Sequence, residues 1–118
     1  MQHREIDAWL GHVRDELSGE QYDRFVAEAR EIAARYPDPD DGAERDAALS
    51  ATVQHLLGEL STTLAGAQLT RARAEASEAL AAARQVARLA ALDGMPKARA
   101  AREAGIDRMT LLKDMGER

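Results

Sequence analysis

Residues 97–116 read KARAAREAGIDRMTLLKDMG, and this stretch decides the fold. It divides into two short helices broken by a tight turn, with expected spans of 96–104 and 107–115. Ala101 is small, so the two helices can approach closely. Gly105 can take φ > 0 without a steric penalty, which ends the first helix and turns the chain. Ile106 in the turn and Leu111 in the second helix supply apolar contacts beneath the corner. Asp107 is placed to cap the second helix through its side-chain oxygen. One step outward, Asp93-Gly94-Met95-Pro96 is the preceding break. Gly94 suits a helix C-terminus and Pro96 the first turn of the next helix. Ahead of it, Ala79 to Leu92 reads as a supporting helix, expected to pack Leu80, Val86, Leu89 and Leu92 towards the pair.

The run A-x-x-A-G-I-D-R-M-T-L from Ala101 to Leu111 resembles the helix-turn-helix of small bacterial transcriptional regulators and of resolvase-type DNA-binding domains. The likeness covers residues 79–118 at most, with Ala79 to Gly94 as the first helix, and residues 1–70 resemble no family. In one departure, Asp114 stands where the pattern usually has a large apolar residue, and Met115 beside it is the candidate to fill that place. The resemblance implies that helix 107–115 enters a major groove. Its start would face base edges through Asp107, Arg108, Met109, Leu112 and Lys113. Arg108 is the main candidate for direct readout, since a guanidinium can donate two bonds to O6 and N7 of guanine, worth about 1–3 kcal/mol of discrimination. Met109 could touch a thymine methyl. Lys97, Arg99, Arg102 and Thr110 would hold phosphates, which fix register without reading sequence. Several have a structural alternative: Arg108 as an exposed helix arginine, Leu112 and Met109 as core, Arg99 and Arg102 paired with Glu103 or with nothing, Asp107 as a cap.

Composition limits the rest. The chain has 118 residues, of which 45% are apolar, but many of these are alanine; there is one Trp, one Phe and two Tyr. At roughly 25 cal/mol per Å² an alanine contributes little on burial, so a monomer is expected to have a thin core that a second subunit completes. There are no cysteines, hence no disulfide framework and no thiolate metal site. No apolar run approaches the length of a membrane span, and MQHREIDAW lacks a signal core, so a cytoplasmic protein is expected. The Arg- and Ala-rich usage is of the kind GC-rich bacterial genomes produce. The net charge of −5 hides an asymmetry: residues 1–70 hold 6 basic and 14 acidic residues, residues 71–118 hold 10 and 7. DNA would attract the second region and repel the first.

Towards the N-terminus the chain reads as helices. Ile6, Trp9, Leu10, Val13 and Leu17 share one face of a helix over 3–17. Ser18 followed by Gln21 fits a capping box that opens a second helix to Tyr36, with Tyr22, Phe25, Val26, Ala29, Ile32 and Ala33 inward. The two are expected to form a hairpin. Tyr36-Pro37-Asp38-Pro39-Asp40-Asp41-Gly42 cannot continue a helix, and Asp41 with Glu44 suggests a second capping box. A third helix follows from about Ala43 to Leu64, with Leu49, Val53, Leu56, Leu57, Leu60 and Leu64 as its stripe. It either ends near Gly66 and folds back, or continues to Leu92. A seven-residue series, Val53, Leu60, Ala67, Ala74 and Ala81, with Leu49, Leu56, Thr63 and Thr70 alongside, favours the long helix and suggests a weak coiled coil.

The expected architecture is all-α: an N-terminal helical hairpin, a long central helix or second hairpin, and a C-terminal helix-turn-helix, organised as residues 1–70 and 71–118. Enzyme chemistry has little to build on. His3, His12 and His55 are isolated, nothing completes a metal site, no serine or threonine has a base or oxyanion loop nearby, and no glycine-rich phosphate loop or cofactor motif is present. The leading expectation is a homodimeric, sequence-specific DNA-binding transcriptional regulator. The alternative is a protein-binding adaptor or antitoxin-like partner that docks through the acidic residues 3–36.

Overall fold

The structure, a computed structural model, describes residues 1–117, and every regular element among them is helical. The chain forms two compact units, Met1–Ala65 and Gly66–Arg118.

In the first unit α1 spans His3–Leu10, α2 Gly19–Arg35 and α3 Gly42–Leu56. The single helix expected over 3–17 is two pieces: α1 stops at Leu10, Gly11 takes φ 55°, and a 3-10 segment carries on over Gly11–Glu16. The apolar face survives the break, because Ile6, Leu10 and Leu17 are buried while Trp9 and Val13 pack partly covered against them. α2 opens with the expected capping box. The Gln21 N–H donates to Ser18 Oγ at 3.1 Å and the Ser18 N–H to Gln21 Oε1 at 2.8 Å. Its inward row, Tyr22, Phe25, Val26, Ala29 and Ile32, is buried against Leu49 and Val53 of α3. The box expected at Asp41 is absent. Asp38 instead accepts from the Asp40 N–H, and a 3-10 turn at Pro39–Asp41 leads into α3. Arg45 closes the other end of this connection by donating to the carbonyls of Tyr36 and Asp38.

Neither expectation for the middle of the chain holds. α3 ends at Leu56, and α4 runs unbroken over Thr62–Leu92, through Gly66. Two glycines competed for the break, and capping decides between them. At Gly58 (φ 78°) the Glu59 N–H reaches back to the Gln54 carbonyl and the Gly58 N–H to that of His55, closing the helix in a Schellman turn. Ser61 then caps α4 by accepting from the Leu64 N–H. At Gly66 the helix continues, and the Thr70 hydroxyl donates to the Gly66 carbonyl at 2.9 Å inside α4. The seven-residue series from Val53 to Ala81 therefore crosses a break and forms no seam.

In the second unit α4 is followed by α5 (Lys97–Ala104) and α6 (Arg108–Asp114). Ala87, Ala100, Ala101 and Leu111 are buried together, with Met95, Ala104, Ile106 and Met115 packed around them. The supporting face of α4 differs from the expected one. Leu80, Val86, Leu89 and Leu92 are exposed, and the buried position is Ala87, with Ala83, Ala90 and Ala91 partly covered. Ala87 clusters with Ala100 and Ala101 of α5 and with Leu111 of α6, and Leu111 is the one large side chain buried among them. The thin core expected from the alanine content describes this unit; the large apolar side chains are concentrated in the first. No helix among the described residues is long and apolar enough to cross a membrane.

Candidate nucleic-acid interface

Gly105 makes the corner. It adopts the left-handed conformation, φ 73° and ψ 25°. The Ile106 N–H donates to the Ala101 carbonyl at 3.0 Å and the Gly105 N–H to that of Arg102 at 3.2 Å, so the last carbonyls of α5 are satisfied within the turn. Asp107 takes the extended backbone of an N-cap, but its side chain accepts no capping hydrogen bond, so the expected side-chain cap is not formed. α6 then turns Leu111 fully inward.

That inward residue fixes what faces out. Arg108, Met109 and Lys113 are exposed, Met109 at 47% of its surface, while Thr110 and Leu112 are partly covered. Met109 and Lys113 are four apart and share one side of the helix. Asp107 is exposed at the same end. Among the candidates for phosphate contact, Lys97 pairs with Glu117 and Arg99 with Glu103. Both pairs sit at the surface, where such contacts are weak and easily exchanged. Arg102, Arg108 and Lys113 carry no ion pair among the described residues, nor do the exposed Arg71 and Arg73 of α4 or Arg4 and Arg24 of the first unit.

Asp114 resolves the departure noted in the sequence. Its carboxylate accepts two hydrogen bonds from the Arg84 guanidinium, at 2.9 and 2.6 Å, and its carbonyl accepts from Arg88 Nη1 at 2.7 Å. The end of α6 is thus clamped to α4 by a bidentate pair, while Met115 fills the apolar place beside it. The Arg84 hydrogen bonds hold the Asp114 carboxyl below the ordinary range, and the Asp114 hydrogen bonds raise Arg84. A carboxylate at an inward helical position calls for a cation, so a partner was foreseeable. Which arginine, 30 residues earlier in the chain, was not.

Comparison with protein-family models, with curated proteins and with solved structures finds no match to the chain.

Proposed function

We propose that the protein binds double-stranded DNA sequence-specifically as a homodimer, as a transcriptional regulator that lays α6 in the major groove. One observation carries the reading: a left-handed glycine corner presents a short helix whose outer side is Arg108, Met109 and Lys113, exposed and unengaged, while Leu111 and the Asp114 clamp fix its inner side. On this reading Arg108 and Lys113 reach base edges with Met109 between them, Asp107 and Leu112 flank them, and Lys97, Arg99, Arg102 and Thr110 lie towards the phosphates.

One such unit makes few base contacts, so affinity calls for two. Residues 61–82 are exposed throughout, among them Leu69, Ala72, Ala76 and Leu80 of α4. A second subunit would cover that apolar side. Two α4 helices paired antiparallel about Ala76 would set their Ala87 levels about 33 Å apart at 1.5 Å per residue. Successive major grooves on one side of a duplex recur at close to that spacing.

The test is selection of bound duplexes from a random pool, expected to return an inverted repeat whose binding weakens steeply with salt. Arg108→Ala is expected to relax preference at one position of each half-site, and Arg102→Ala to weaken all duplexes alike. Failure to retain any duplex at low salt overturns the reading. The second reading, a protein-docking adaptor, draws on the first unit, where residues 1–65 hold 14 acidic and 6 basic residues; an adaptor would ignore duplex DNA.

A further inference from the structure

The first unit carries an open groove that its own core does not fill. Two concavities meet at Trp9, one of about 450 Å³ bordered by Tyr36 and Leu49, the other of about 300 Å³ bordered by Val13 and Leu57. Trp9 stacks one ring face on Phe25, with centroids 5.8 Å apart, and stays only partly covered. Val13, Tyr36 and Leu57 are likewise only partly covered. A partly exposed aromatic surface beside other partly exposed apolar groups is what a binding groove offers.

The rim is acidic at the second concavity and mixed at the first. Glu5 and Asp46 border the first concavity and Glu16 and Glu59 the second; all four are exposed, and none has an ion-pair partner among the described residues. The first concavity also carries Met1 and Arg45, the latter donating to the carbonyls of Tyr36 and Asp38, whereas the described lining of the second holds no Lys or Arg. Nucleic acid and anionic membranes are repelled by such a rim, and a cationic partner is drawn to it.

We propose that this groove is a docking site for a cationic amphipathic helix of a partner protein. Apolar anchors at i, i+3 or i+4, and i+7 would enter the two concavities on either side of Trp9, and flanking Lys or Arg would meet Glu5, Asp46, Glu16 and Glu59. The site is separate from α6 and does not depend on DNA binding.

Trp9 is the one tryptophan of the chain, so its emission reports the groove directly. The full chain is titrated with a synthetic helix bearing Leu anchors and Lys flanks, with a scrambled peptide of the same composition, and with a Glu-flanked version. A saturable shift of Trp9 emission with the Lys-flanked helix alone, weakening as salt rises, is expected. Glu16→Lys with Glu59→Lys should weaken it by roughly tenfold or more through like-charge repulsion, while circular dichroism stays as in the parent. The proposal is overturned if emission does not change, if the scrambled or Glu-flanked peptide does as well, or if the charge-reversed variant binds like the parent. It is overturned equally if Trp9 emission shifts with protein concentration alone, in step with a doubling of mass, because a second copy would then be the occupant.

Discussion

Two glycines in the second unit should respond to the same substitution with opposite signs. At Gly105 the backbone lies at φ 73°, and a Cβ added there would meet nothing within 4 Å. The cost of Gly105→Ala is therefore torsional, about 1–2 kcal/mol for an L-residue held left-handed. Gly66 sits inside α4 without a positive φ, and a Cβ there also meets nothing within 4 Å. Gly66→Ala should stabilise by about 0.4–1 kcal/mol, because alanine leaves the unfolded chain less freedom to lose. The assay is urea unfolding followed by circular dichroism, which sees all the helices; Trp9 fluorescence, read in parallel, sees only the first unit. With a slope near ~1.5 kcal/mol per M, Gly105→Ala lowers the midpoint by roughly 1 M and Gly66→Ala raises it by a few tenths. Asn at position 105 should lie between Gly and Ala, since asparagine tolerates this conformation better than most residues. An unchanged midpoint for Gly105→Ala refutes the corner. A loss at Gly66 refutes the continuous α4.

Other outcomes follow from the same structure. Leu111→Ala empties the one fully buried large side chain of a cluster otherwise built on Ala87, Ala100 and Ala101. The loss of about 2–5 kcal/mol should abolish hydrogen-exchange protection across α5 and α6, while Trp9 emission stays as it was. Arg84 hydrogen bonding lowers the pKa of Asp114 from its ordinary 3.8, so the stabilisation is present above 3.8 and fades as pH falls through the lower folded value. Asp114→Asn should therefore be less stable than the parent at neutral pH and converge with it in acid; a constant gap would contradict the clamp. The Tyr22 hydroxyl donates to Asp7 at 2.6 Å, and this bond raises its pKa above 10.0. Stability from it is complete below pH 10 and is lost as pH rises through the raised value. Asp7→Asn should bring tyrosinate formation at Tyr22 back towards 10.0, read by ultraviolet absorbance.

Local chemistry was legible along the chain. Ser18 with Gln21 named the start of α2, Gly94 the end of α4, and Gly105 with Ile106 and Leu111 the corner and its underside, because each depends on residues within one or two helical turns. The middle of the chain was misread where several local signals competed. Gly58, Glu59, Leu60 and Ser61 together end one helix and cap the next, yet a seven-residue apolar series running across them masked the break. The candidate contacts on α6 were legible in the sequence, but which of them stand outward depends on the full burial of Leu111.

What the sequence determined by itself is the all-helical class, the capped start of α2 and the glycine corner, since propensity, capping and φ preference act over a few residues. The tertiary structure alone decided which side of α4 bears α5 and α6. Periodicity proposed the leucines, but Ala87 takes the buried place, because Leu111 of α6 already supplies the large side chain of that cluster. It alone chose Arg84 as the partner of Asp114, because a pair separated by 30 residues is set by how the helices pack and leaves no mark on spacing.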